Sequence, residues 1–259
     1  MIEMISDTMW NAIQHLFIES TLKPGRKTTN HRLRLDGILF ILHTGASWQR
    51  LPLLYGPKST VHATFIKWSR MGKFQAMHQL FTTQYVLENE PSYFAIDAAL
   101  TRARCGGSSL GENPCDRRKK GVKRTIVVDQ KGVPLISIVS PANRHDIIPA
   151  RLILGEIKKI MPLNKIGILA ADSGYDARDF KKALVSANIA PFITQNVRRG
   201  KIEGRKLLSK NRWIVEATHS WLNNFRSIAT RYARHNFTYA AFVSFACASM
   251  VFEKLSLCA

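Results

Sequence analysis

Tyr93-Phe-Ala-Ile-Asp-Ala-Ala-Leu100 is the stretch on which the fold turns. It follows Pro91, opens on two aromatic residues and stays apolar except at one position, so it reads as a strand. An acid inside such a run is costly unless it is paired or bound to a cation. Asp97 is therefore the first residue marked for function; the plainer reading is an edge-strand aspartate facing water.

Outward from this strand the pattern is regular. Residues 104–122 are glycine-rich, polar and basic, and are expected to form a loop. Arg124 to Asp129 and Val133 to Val139 are β-branched runs around Gln130-Lys131-Gly132, a hairpin. Asp146 can cap a helix with Pro149 in its first turn and Ile153, Ile157 and Ile160 inside. Lys165 to Ala171 is a short buried strand ending in Asp172-Ser173-Gly174. Phe180, Ala183, Leu184 and Ala187 stripe the next helix. Pro191 to Thr194 is a fifth strand, followed by a basic loop to about Asn211 and two closing helices. The order predicts a mixed five-stranded sheet covered by helices, the ribonuclease-H-like arrangement in the α/β class.

In that topology a right-handed crossover brings the fourth strand in parallel beside the first. Asp97 and Asp172 would then meet near one end of the sheet, where α/β folds place ligands. A third acid follows in Arg212-Trp-Ile-Val-Glu216. Arg212, Glu216, His219, Asn223 and Arg226 recur at steps of 4, 3, 4 and 3 residues, one polar helix face. Ile214, Thr218, Trp221, Leu222, Phe225 and Ile228 would pack on the sheet. Alone, such a stripe is a solvated face; the two upstream aspartates give it weight.

Three carboxylates suit hard divalent cations such as Mg2+. Two ions roughly 3.5–4 Å apart can serve both oxygens of an in-line phosphoryl transfer, with Arg212 neutralising a phosphate and His219 or Asn223 orienting it.

Residues 1 to about 88 read as helical, and the division expected is a DNA-binding unit over 1–90 and a catalytic domain over 91–259. Met4, Met9, Ile13, Leu16 and Phe17 recur at helical intervals before a loop at Lys23–Lys27. Leu35, Ile38, Leu39 and Leu42 form a second stripe. Gly45 and Pro52 mark a turn. Ser59 can cap a third helix with Val61, Phe65 and Trp68 inward and His62, Lys67 and Arg70 outward. Helix, turn, helix with a basic face is compatible with a DNA-reading module; a plain helical domain with solvated lysines fits this stretch nearly as well.

The charge balance points the same way. Thirty-eight basic residues against 18 acidic ones leave +20 over 259 residues, which attracts polyanions. A ribosomal or membrane-surface protein is the plainer alternative. Arg117, Arg118, Lys119, Lys120, Lys123 and Arg124, with Arg226, Arg231 and Arg234, are expected to line one DNA-contacting face with the carboxylates. Cys105, Cys115, Cys247 and Cys258 form no C-x-x-C pair and fit a reducing cytosol. The N-terminus carries acids where a signal peptide carries lysines. Phe237 to Phe252 is too short for the roughly 20 residues of a membrane span and reads as a buried helix.

At these residues the chain resembles the insertion-sequence-five group of DDE transposases, within the wider insertion-sequence-four type. The resemblance covers nearly the whole chain: LDGILFILHTGASWQRLP (35–52), GPKSTVHATFIKWSRMGKF (56–74), GENPCDRRKKGVKRTIVVDQKGVPL (111–135), SPANRHD (140–146), ADSGYD (171–176) and RWIVEATHSWLNNFRSIATRYAR (212–234). It implies a ribonuclease-H-like catalytic domain, dependence on two Mg2+ ions with Mn2+ as substitute, and binding of terminal inverted repeats as double-stranded DNA. It also implies Asp97, Asp172 and Glu216 as the catalytic, metal-holding triad, with Arg212 as the preceding arginine. A homodimer on DNA in the bacterial cytoplasm, with no membrane attachment, is the matching expectation. The chain departs from the family pattern at Ala98, Thr125, Ala217 and Asn223, none of which removes a carboxylate. A nuclease that cuts without joining and a copy that only binds DNA are the competing classes.

Overall fold

The computed structural model describes residues 5–18, 30–160, 166–194 and 205–256, with the side chains at 158–160, 205–212 and 256 outside the description. Its N-terminal part is four helices, α1 (Asp7–Phe17), α2 (His31–Thr44), α3 (Lys58–Arg70) and α4 (Lys73–Asn89). The Ser6 side chain caps α1 by accepting the Met9 N–H. The stripes expected from periodicity are buried: Met9, Ile13 and Phe17 in α1, Leu35, Ile38, Leu39 and Leu42 in α2, Val61, Phe65 and Trp68 in α3. Two details differ. Helix α3 starts at Lys58 behind Pro57, whose φ of −60° already suits a helix entry, so Ser59 is not the cap. Helix α4, unassigned from sequence, buries Phe74, Met77, Phe81 and Tyr85 at steps of three and four. Met4 and the Lys23–Lys27 loop lie outside the described residues.

The rest of the chain builds a mixed sheet. Its elements are β1 (Tyr93–Arg102), β2 (Gly111–Glu112), β3 (Lys120–Asp129), β4 (Pro134–Pro141), α5 (Ile147–Ile160), β5 (Gly167–Ala171), α6 (Arg178–Val185), β6 (Ile189–Ile193), α7 (Arg205–Leu222), α8 (Arg226–Ala229) and α9 (Asn236–Ser256). Strand β3 lies antiparallel between β1 and β4, while β1, β5 and β6 run parallel in that order. This is the ribonuclease-H-like order expected, with β2 added as a two-residue extension on β3. The region 104–122 is thus not all loop: Lys120–Val122 pairs with Thr101, Arg102 and β2. The β3–β4 hairpin is closed by Asp129, whose Oδ1 accepts the N–H groups of Lys131 and Val133.

The C-terminal helix joins the two ends of the chain. Helix α9 is apolar around most of its circumference, buries an unbroken run from Ala241 to Ala248, and packs along α4 and against α3 and β4. Three ring contacts mark the seam: Phe65 with Phe242 at 4.4 Å, Phe74 with Phe245 at 5.3 Å, and Phe81 with Phe252 at 5.0 Å. One apolar cluster therefore runs from Ile5 to Leu255 across the boundary expected at residue 90. Truncating Phe65, which is 2% exposed, removes a ring from the centre of this seam. Phe65→Ala should cost about 3–5 kcal/mol, lowering the melting temperature by roughly 10 °C or more. Melting within 2 °C or so of the wild type would show that the N-terminal helices do not depend on α9.

Candidate active site

The site begins with a register. Strand β1 pairs with β5 so that Tyr93 meets Ile168, Phe94 meets Leu169 and Ala95 meets Ala170. Two residues further along each strand, the same offset sets Asp97 opposite Asp172. Side chains alternate along a strand, so Ala95 and Asp97 share one face, as do Ala170 and the extended Asp172. Both aspartates are half-buried. The Asp172 Oδ1 accepts the Gly174 N–H at 2.9 Å, which fixes the turn that ends β5. A Cβ at Gly174 would stand 3.0 Å from that oxygen and 3.5 Å from Oδ2 of Asp146. A fourth carboxylate therefore adjoins the Asp172 turn, and its Oδ1 is held by Lys123 Nζ at 2.6 Å. Sequence reasoning took Asp146 for a helix cap only; the glycine of Asp172-Ser173-Gly174 was the available signal.

Which face of the sheet carries these acids follows from Arg124. It pairs with Ala99 across β1 and β3, and Asp97 pairs with Ile126. Arg124, Ile126, Ala99 and Asp97 thus lie on one face. The Arg124 Nη2 donates to Asn223 Oδ1 at 2.8 Å, just past the end of α7, so this face is the one α7 covers. Helix α7 packs across β1, β3 and β5. It buries Val215, Thr218, His219 and Leu222. On one flank Thr218 Oγ1 donates to the Gly132 carbonyl of the hairpin at 2.8 Å. On the other, His219 and Asn223 lean toward Asp97 and Arg124. At 100° per residue, Glu216 falls on this second flank, exposed and one turn before His219.

The helix is turned from the orientation expected of it. Trp221 is 44% exposed where sheet packing was expected, and His219 is 6% exposed where a polar outer face was expected. The reason is Arg124, which draws the His219–Asn223 side of the helix inward. Burial, and then the Arg124 charge, hold the His219 imidazole down to about 3 against the raising effect of the Asp97 backbone. His219 is therefore a neutral packing group and not a phosphate donor facing solvent. Arg226 belongs to α8, so the expected stripe ends with α7.

Among the described residues no group of three His, Cys, Asp or Glu stands close enough together to hold a metal ion. Asp97 and Asp172 sit on adjacent strands with Glu216 on the flank of the helix above them. The donors on offer are carboxylate oxygens, the set a magnesium ion takes. Arg212 lies one turn before Glu216 in α7, and its side chain is outside the described residues.

The basic residues divide into two groups. Arg117, Arg118, Lys120, Arg226, Arg234, Lys67 and Arg70 are exposed, and Lys119 is half-buried. Arg117 and Arg118 take left-handed backbone, φ 46° and 57°, in a tight turn where Asn113 bonds Lys119 and Arg118. This turn borders the end of β1, where Ala103 N–H donates to the Lys120 carbonyl. Arg234 reaches the same end: a Cβ at Gly107 (φ 127°) would lie 2.1 Å from its carbonyl, so only glycine fits there. Three residues expected on the DNA face are not free to reach it. Arg124 is 1% and Arg231 0% exposed. Arg231 donates to the carbonyls of Ala233, Ser108 and Arg234 and ties two loops together. The Lys123 side chain is 11% exposed and committed to Asp146 and the Arg144 carbonyl.

A ribonuclease-H-like sheet with one acid within β1 and another just past the end of the adjacent parallel β5, crossed by a helix bearing a third, defines the class. Residues 5–78 match the family described as "Putative transposase of IS4/5 family", and residues 88–251 match the "Transposase DDE domain". The chain belongs to the insertion-sequence DDE transposases. A "Putative transposase for insertion sequence element IS402" of Burkholderia cepacia is 33% identical over 157 residues, spanning 59% of this chain and 72% of that protein. An "Insertion element IS402 uncharacterized 16.2 kDa protein" of the same organism is 30% identical over 118 residues, 42% of this chain and 80% of that one. Among solved structures, the piggyBac transposase synaptic complex with hairpin DNA superposes with a TM-score of 0.55 at 11% identity. That match covers 93% of this chain and 69% of the other, a likeness of fold.

Proposed function

We propose that this transposase binds the terminal inverted repeats of its insertion sequence as double-stranded DNA, cuts at their ends and joins them to a target. Asp97, Asp172 and Glu216 would hold two Mg2+ ions, for which Mn2+ would substitute. The observation that carries this reading is the β1–β5 register, which sets Asp97 opposite Asp172 on the face covered by α7. Bound there, such ions would supply charge stabilisation for the attacking and leaving oxygens of an in-line displacement at phosphorus. The chain's own part is positional. Asp97 is fixed by β1, Asp172 by its bond to Gly174, and Glu216 by the seating of α7. Arg212, one turn before Glu216, balances phosphate charge. A water attacks the phosphorus, the bond to the 3′ oxygen breaks and that oxygen leaves as a 3′-hydroxyl. This hydroxyl then attacks a target phosphorus, whose own bond to a 3′ oxygen breaks, so that the target strand leaves with a 3′-hydroxyl and the proton released by the attacker.

The N-terminal unit, residues 1–90, reads the repeat through α3, whose Lys67 and Arg70 are exposed. Arg117 to Lys120, Arg226 and Arg234 hold the backbone nearer the acids. Two copies act together on paired ends, in the bacterial cytoplasm at the nucleoid. No described helix is long and apolar enough to cross a membrane.

The test is a strand-transfer assay with a duplex taken from the flanks of the gene, a supercoiled target and Mg2+. Joined products are expected, with Mn2+ supporting them and chelation abolishing them. Nicked ends without joined products would make the protein a nuclease. Salt-sensitive binding with no nicking in either metal would leave a DNA-binding copy only.

A further inference from the structure

We propose that Arg124 is a positioning residue for Glu216, acting through Asn223 and His219, and that it makes no contact with DNA. The inference rests on the catalytic reading of Glu216. At 1% exposure its guanidinium has no path to a phosphate. Among the described residues it makes one side-chain hydrogen bond, Nη2 to Asn223 Oδ1 at 2.8 Å, and its Nε and Nη1 find no hydrogen-bond partner there. An under-satisfied buried cation lowers stability relative to an apolar side chain of similar volume. Its contribution therefore lies in what it holds in place.

What it holds is the rotation of α7. Among the described side chains two hydrogen bonds seat the helix, one on each flank: Thr218 on Gly132 and Asn223 on Arg124. His219 sits between them, under the helix and against Asp97 and Arg124. Arg124 and Asp97 are same-face diagonal neighbours in the β1–β3 register, separated by one step of the pleat. The same side chain thus stands beside the first acid and grips the end of the helix that carries the third. A turn of α7 by one residue, 100°, would carry Glu216 off the flank that overlooks the strand ends. With the Arg124 end released, the seating of α7 is left to Thr218 and the buried Val215 and Leu222 on the other side of the helix.

The experiment compares wild type with Arg124→Lys, Asn223→Ala, their combination, and Asn223→Asp. It measures nicking rate on an inverted-repeat duplex, DNA affinity with its salt dependence, and thermal melting. Lysine keeps the charge but cannot fork onto Asn223. Each of the first two variants should nick about 10–100-fold more slowly, with affinity and salt slope unchanged. The combination should be no slower than the worse single change, because both break one contact. Asn223→Asp keeps an oxygen acceptor and should stay within a few-fold of wild type. Asn223 is exposed, so its variants report even where Arg124→Lys melts early. Wild-type rates in both single variants would overturn the inference. So would a loss of affinity with a salt slope reduced by about one, which marks a phosphate contact. Multiplying defects in the combination would also overturn it. Failure of the wild type to nick would instead sink the catalytic reading beneath it.

Discussion

Asp97→Asn should abolish magnesium-dependent nicking, by about a thousandfold or more, while the protein stays folded and still binds DNA. Losing a ligand that stabilises transition-state charge costs several kcal/mol, and each 1.36 kcal/mol is tenfold in rate. Asparagine has the shape of aspartate, so packing beside Ala95 and Ala99 is kept. The same substitution at Asp172 retains an oxygen to accept the Gly174 N–H, and Glu216→Gln alters an exposed side chain. Removing one acid from among neighbouring acids relieves repulsion, so melting without metal should hold or rise. Affinity for the inverted repeat should hold or rise too, since a negative charge near the phosphates is gone. A structural role for these residues predicts the reverse, little change in nicking or a loss that follows the melting temperature. Variants that melt normally, bind DNA and cut at wild-type rates would end the case for the triad.

The second large effect is on binding. Each phosphate neutralised releases counterion, so log affinity should fall against log salt with a slope of about −0.9 per contact. Eight cations proposed for DNA remain exposed or half-buried: Lys67, Arg70, Arg117, Arg118, Lys119, Lys120, Arg226 and Arg234. Were six or more engaged, affinity would drop about 10³–10⁵-fold between 50 and 200 mM salt. Replacing Arg117 and Arg118 together by alanine should reduce the slope by about 2. Those alanines replace residues in left-handed backbone, so the variant is also checked by melting. Replacing the buried Arg231 should leave the slope unchanged and lower the melting temperature, because its guanidinium serves three backbone carbonyls. Fluorescence anisotropy of a labelled repeat across a salt series reads both. Salt-insensitive binding would remove the basic turn from the interface.

Much of the sheet was legible because its signals are local. An apolar run bounded by Pro91, a hairpin at Gln130-Lys131-Gly132 and the Asp172-Ser173-Gly174 stop each depend on residues within a few positions. The crossover rule then placed the two aspartates on neighbouring strands, and the observed register agrees. The two-residue β2 was not legible, since Gly111–Glu112 has no run to read and exists only by pairing with Lys120 and Gly121. Helix α4 falls in the stretch read as helical to about residue 88, but its apolar stripe was not legible because His78 and Thr82 lie among its buried residues.

By itself the sequence determined the order of the five main strands and the helices between them, the core stripes of α1 to α3, the family and the three candidate acids, since period, turn chemistry and motif spacing are properties of neighbours along the chain. It placed a loop to about Asn211 where α7 already runs from Arg205. Only the tertiary structure decided which cations are exposed. Arg124 is buried by a partner 99 residues away and Arg231 by one 123 residues away, and a count of charges carries no such distances. It also decided the rotation of α7: the helical wheel offered a polar stripe, and the buried guanidinium beneath it turned His219 inward and left Trp221 outside. It decided, last, that α9 returns to the N-terminal helices. An apolar helix must bury most of its surface, but which surface accepts it depends on where Phe65, Phe74 and Phe81 present their rings.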